Sequence, residues 1–136
     1  MTRSVLFALL IASLVASDAS AAEPSGERLA YLVGCINCHH QTPKEILDAP
    51  PLAIVQGYSL PEFRKLMKTG VARSGRDMVA LSSIMGVVAV EQFAHFTDEE
   101  VAAIYQFLRE GWNSERAARE EAKIPELYRA KYEAME

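Results

Sequence analysis

A chain of 136 residues, half of them apolar, is long enough for one domain with a packed core. Fourteen basic and eighteen acidic side chains give a formal charge of −4 with no basic stripe, which excludes a nucleic-acid footprint and only weakly favours a partner with a basic patch. The two cysteines stand three residues apart, so a scaffold of several disulfides is excluded; any staple beyond the apolar core has to come from elsewhere, and a cofactor is the obvious candidate.

The N-terminus reads as an export signal. Arg3 precedes an apolar run from Val5 to Ala16, and Ala19-Ser20-Ala21 supplies the small-residue cleavage pattern. Cleavage is expected after Ala21, which makes residues 1–21 a signal peptide and the mature protein periplasmic. The rival is a membrane anchor, but the run is short for a span and a cleavage pattern follows it. Removing Arg3 and Asp18 leaves the net charge unchanged. No later segment is long and apolar enough to span a bilayer.

The mature chain reads as helices and loops, without period-two alternation or repeats. A first helix is expected from Ser25 or Gly26 to Cys38, with Leu29, Leu32 and Val33 as its apolar stripe and Tyr31 beside it. A loop follows through His40-Gln41-Thr42-Pro43 to Pro50-Pro51, because paired prolines cannot lie inside a helix. Ser59 and Glu62 form a capping box that opens a second helix, with Phe63, Leu66 and Met67 inward and Gly70 as its stop. Ala72 to Asp77 is a polar loop, and Met78 to Val90 is apolar without a clear period. Thr97 and Glu100 form another capping box, and Val101, Ile104, Tyr105 and Leu108 recur at helical spacing up to Gly111. Six acids and five bases then crowd Trp112 to Glu136, where Ile124, Leu127, Tyr128 and Met135 leave an apolar stripe. Residues 22–110 are thus expected to form one domain and residues 111–136 a charged amphipathic helical extension. That extension is either a solvated cover for the domain edge or a docking surface.

Cys35-Ile36-Asn37-Cys38-His39 is a C-x-x-C-H motif, the attachment signature of c-type haem. Two thiols three residues apart in one helical turn reach the two vinyl groups of one porphyrin, and the following histidine ligates the iron. Three rival readings stand beside it. A thiol-redox C-x-x-C would follow a strand, and no strand is expected. A structural zinc site needs four ligands, of which the remaining histidines offer a partial set. A five-residue pattern also arises by chance.

With these residues in view, Gly26 to Arg109 resembles the class I cytochromes c. The motif lies near the mature N-terminus. Tyr31 stands four residues before Cys35, where that family carries an aromatic residue. Pro50-Pro51-Leu52 is similar to the family's G-P-x-L loop, with Ala49 in place of the glycine. The segment from Thr97 looks like the family's C-terminal "LTDEDLxAIxxYL" helix. The resemblance implies an all-α, class I cytochrome c-type fold in which the N- and C-terminal helices cross around one covalently attached haem c, plus the C-terminal extension. Ile104, Phe107 and Leu108 would then pack near Tyr31. It also implies that the Pro50 carbonyl accepts a hydrogen bond from His39 and that a methionine supplies the sixth ligand. Met67 reads as core. Lys68-Thr69-Gly70 before Met85, and Thr97 twelve residues after it, match the haem domains of membrane-associated alcohol and gluconate dehydrogenase subunits, which favours Met85. Met78 and His95 remain alternatives, and His40 points elsewhere. The cofactor-binding set is therefore Cys35, Cys38, His39, Pro50 and Met85, with His39 and Met85 on the metal. The segment after Gly111 has no counterpart in the family.

Iron with both axial positions filled offers no open site, so the expected function is single-electron transfer rather than enzymatic turnover. A methionine ligand and an apolar shell of Leu52, Val79, Leu81, Ile84 and Val87 would raise the reduction potential. The expected partners are redox proteins: a dehydrogenase, an oxidase or another cytochrome. The chain would act as a monomer or as the haem subunit of such a complex, with no membrane span once cleaved. The alternative is a haem protein with an open iron site, acting as a gas sensor or a peroxidase-like enzyme; a thiol oxidoreductase is a third reading.

Overall fold

A computed structural model of the chain describes residues 25–44 and 46–126. The signal peptide, its cleavage point, and Leu127, Tyr128 and Met135 of the apolar stripe lie outside the described residues. Among the described residues the fold is all-α: no strand forms, and one isolated bridge joins Val71 to Asp77. No described helix is long and apolar enough to cross a membrane.

Helix α1 spans Gly26–Leu32, with the Ser25 hydroxyl accepting from the Arg28 N–H. It is shorter than the sequence pattern implies. Gly34 takes a left-handed φ of 85°, a conformation that glycine adopts without steric cost, and this breaks the helix before Cys35. The expected stripe is also rotated, because Leu32 is 69% exposed while Ala30 is fully buried. The cause lies in the packing partner. Helix α4, Asp98–Gln106, lies against α1. A Cβ on Gly26 would overlap the Ala103 carbonyl, so the two backbones touch where α1 has no side chain. The small residues Gly26 and Ala30 thus define the buried face, one turn apart.

Both capping boxes form. The Thr97 hydroxyl accepts from the Glu100 N–H at 3.1 Å, and Glu100 Oε2 accepts from the Thr97 N–H at 2.8 Å. Helix α2, Leu60–Thr69, begins with the Ser59 N–H donating to Glu62 Oε2 at 2.8 Å and stops at Gly70, whose φ is 72°. Phe63 and Met67 are buried on its inner face. The Lys68 ammonium donates to the Ala94 and Phe96 carbonyls, tying α2 to the turn that precedes α4.

The ambiguous apolar segment divides in two. Met78 lies in the loop after α2, and helix α3 spans Ile84–Glu91 with Ser83 as its cap. Met78 accepts from Ser83 and donates to the Gly70 carbonyl at 3.0 Å. A Cβ on Gly86 would overlap the Met78 backbone, so α3 is seated directly on that loop.

Beyond α4 the last turn, Phe107–Gly111, widens to π-type, and the chain reverses at Trp112 and Asn113 into helix α5, Ser114–Glu121. This helix does not stand off in solvent. Arg116 pairs with Glu27 of α1, and its guanidinium lies 4.9 Å from the Phe107 ring centre. Glu120 is only 4% exposed. Its carboxylate accepts from Tyr31 Oη at 2.7 Å, from Gln41 Nε2 at 2.8 Å and from Lys123 Nζ at 2.8 Å. Burial would raise the Glu120 pKa, but the three donors outweigh it and hold the carboxyl below its ordinary value.

Two predictions follow from this packing. Gly26→Val should lower stability by about 1–3 kcal/mol, as overpacking at a tight contact does, while Leu32→Ala at the exposed position should stay within about 0.5 kcal/mol. Urea midpoints of the two variants check the contrast. The second concerns acid. A carboxyl whose folded pKa is depressed adds stability above its unfolded pKa, and this is lost as pH falls through the folded value. Glu120→Gln should therefore be destabilised at neutral pH yet lose less than the parent on acidification from about pH 5 to pH 3. Equal pH slopes of the two urea midpoints would count against the Glu120 clasp.

Candidate functional site

The left-handed Gly34 turn delivers Cys35, and the Cys38 N–H closes the turn on the Gly34 carbonyl at 2.8 Å. Asn37–Gln41 then continues as a single π-type turn, closed by the Thr42 hydroxyl donating to the Asn37 carbonyl at 2.7 Å. Cys35, Cys38 and His39 thus share one short helical stretch, where residues three and four apart fall on one face. Neither cysteine is in a disulfide. Cys35 packs against the core, and burial pushes its thiol up to about 12. A thiol so protonated is a poor nucleophile for disulfide exchange, which counts against the thiol-redox reading. Among the described residues no three His, Cys, Asp or Glu side chains converge, so the donors for a structural zinc site are not assembled.

His39 Nδ1 lies 2.5 Å from the Pro50 carbonyl oxygen, the contact that the resemblance implied. A carbonyl can only accept, so Nδ1 carries the proton and Nε2 carries a lone pair. Burial lowers the His39 pKa, and the Pro50 bond opposes this only in part, so the ring is neutral at neutral pH. No described donor meets Nε2. Two unpaired thiols and a neutral imidazole with a free Nε2, on one helical stretch, form a donor set that fits a covalently held haem.

Met85 is the second residue of α3, half-buried and packed against the core that also receives Cys35. Met78, also half-buried, sits in the loop on which Gly86 rests. His95 is exposed at the end of the turn Phe93–His95. The expected apolar shell divides as well. Leu52 is buried in the core, whereas Val79, Leu81, Ile84 and Val87 are exposed.

Four residues near the site carry roles that their sequence pattern does not announce. His40 is 4% exposed, and its Nε2 accepts from the Leu52 N–H at 3.0 Å. The Trp112 ring lies 4.7 Å from the His40 ring. Gln41 and Tyr31 both donate to Glu120. The signal available beforehand was thin: one tryptophan just past the last family-like helix, and a second histidine directly after the motif.

Compared with known protein families, with curated proteins and with solved structures, the chain matches none.

Proposed function

We propose that the chain is an exported, periplasmic c-type cytochrome with the class I fold, which passes single electrons between redox partner proteins. One haem c would be held by thioethers from Cys35 and Cys38, with His39 and Met85 as axial ligands. The observation that carries this reading is the contact of His39 Nδ1 with the Pro50 carbonyl oxygen. A carbonyl can only accept, so the neutral ring's proton lies on Nδ1 and Nε2 is left as a lone-pair donor on the same short helical stretch as two unpaired thiols.

When bound, the haem supplies a one-electron couple, and the chain's own residues set its conditions. Pro50 fixes the plane of the His39 ring and raises its basicity. Cys35 and Cys38 would retain the cofactor covalently outside the cell. The Met85 thioether is a soft donor that favours ferrous iron, and it rides on a helix seated by the Ser83 cap and by the contact between Gly86 and Met78. The exposed Val79, Leu81, Ile84 and Val87 offer apolar surface of the kind that docks a cofactor or a transient partner.

One observation favours the second reading, a haem protein with an open iron site that acts as a gas sensor or peroxidase-like enzyme. Met85 packs against the core, where a methionine needs no metal to account for it.

An optical spectrum of protein co-expressed with a haem-attachment system separates the readings. The electron carrier should show sharp c-type bands, a far-red ferric band from the methionine–iron bond, and no change of the ferrous form with carbon monoxide. Met85→Ala should abolish the far-red band and admit carbon monoxide, and Met78→Ala should leave both unchanged. The reverse pattern would make Met78 the ligand. Carbon monoxide binding by the parent protein would support the open-site reading, and a colourless protein would sink both.

A further inference from the structure

Two adjacent prolines leave the segment Pro50–Leu52 almost without handles. Neither Pro50 nor Pro51 has a backbone N–H, so the Leu52 N–H is the one backbone donor in the segment. That donor is buried with its residue, and a buried N–H without an acceptor costs about 1–3 kcal/mol. Its acceptor is a side chain, His40 Nε2, at 3.0 Å. Two residues earlier in the same segment, the Pro50 carbonyl accepts from His39 at 2.5 Å. Consecutive histidines therefore grip the two ends of one three-residue segment. One grips it as a donor and the other as an acceptor.

The hydrogen bonds fix the proton on both rings. A backbone N–H can only donate, so His40 Nε2 holds a lone pair and the neutral ring carries its proton on Nδ1. His39 has the same tautomer. In His39 the Nε2 lone pair is left free, and in His40 it is spent on Leu52.

His40 is held in turn by the C-terminal extension. The Trp112 ring covers it at 4.7 Å, and Glu121 Oε1 stands 3.7 Å from Nδ1. Nδ1 is buried and meets no partner at hydrogen-bond distance, so packing against Trp112, rather than a second hydrogen bond, sets the ring's angle.

We propose that His40 is a positioning residue for the proximal ligand, and that the segment Trp112–Glu121 is the cap that keeps it in place. The inference rests on the reading of His39 as a haem ligand. Its physical content is that the His39–Pro50 bond is only as firm as the hold on Leu52, two residues away. A firm bond gives the His39 imidazole partial anionic character, which favours ferric iron. A loosened segment weakens that character and raises the reduction potential.

The test uses the full-length haem-loaded protein and three variants. His40→Phe keeps a ring of similar bulk and removes the acceptor. His40→Gln restores an acceptor of similar reach. Trp112→Leu keeps an apolar filler and removes the wall. Each is followed by equilibrium redox titration and by the paramagnetically shifted proton signals of the haem methyls and the His39 ring. His40→Phe and Trp112→Leu should raise the potential and move the shifted signals, and His40→Gln should return both toward the parent. Unchanged potentials and signals in His40→Phe and Trp112→Leu, with only stability reduced, would overturn the positioning role while leaving the cytochrome reading intact. If His40→Phe does not fold, Trp112→Leu decides alone, and an unshifted potential there overturns the proposal. A parent protein without covalently bound haem overturns the cytochrome reading, and this inference with it.

Discussion

The contact between the backbones of α1 and α4 at Gly26 is the constraint from which the rest of the architecture follows. Helices whose side chains interdigitate normally keep their axes about 8–10 Å apart. Here a Cβ on Gly26 would already overlap the Ala103 carbonyl, so the crossing admits no other residue without moving a helix. The crossing fixes two downstream events at once. α1 runs into the Gly34 turn and so sets where Cys35, Cys38 and His39 emerge, and α4 runs into Trp112 and so sets where the extension begins. Because both ends are referred to the same contact, α5 returns to α1 in a fixed register. Arg116 meets Glu27, and Glu120 meets Tyr31 one turn further along.

The same economy governs the site. A half-buried neutral imidazole needs a partner for its N–H, and the Pro50 carbonyl is free for that purpose because prolines interrupt any local helix that would have used it. The turn Leu52–Gly57 that follows is bound to the end of α4: Gln56 donates to the Arg109 carbonyl at 3.1 Å, and the Arg109 guanidinium donates to the Gln56 carbonyl at 2.8 Å. The segment that carries the partner of His39 is therefore anchored on its C-terminal side. The loop carrying Met78 and the helix carrying Met85 form one packed unit, because Gly86 rests on the Met78 backbone.

How far the sequence could be read depends on the range of the interactions involved. The two capping boxes, the Gly70 stop and the buried face of α2 are local, and their spacing alone predicted them. The contact between His39 and Pro50 spans eleven residues and was reachable only through a resemblance, because nothing in the composition of a Pro-Pro loop says which carbonyl is used. The break at Gly34 is hidden in the sequence because the motif itself has helical spacing. The exposure of Leu32 is not legible in the stripe because the buried face is chosen by the smallness of Gly26 and Ala30, which a hydrophobic pattern does not register. The burial of Glu120 lies beyond any pattern, since two of its donors, Tyr31 and Gln41, stand some ninety and eighty residues away.

That buried carboxylate also explains why α5, Ser114–Glu121, is seated against α1. An apolar residue in its place would bind α5 through area alone, and area tolerates sliding by a turn. A carboxylate taken out of water is stable only where its acceptor positions are filled. On this surface Tyr31 Oη and Gln41 Nε2 reach it from outside the segment, while Lys123 Nζ moves with it, so a shift of α5 along its axis would cost the Tyr31 and Gln41 bonds. The network therefore contributes more to the choice of register than to net stability, which is the best-attested use of a buried polar group. Register is what the neighbouring contacts need. Trp112 and Glu121 meet His40 only if α5 is seated at one height, so a polar contact with Tyr31 and Gln41 decides the surroundings of the residue that follows His39.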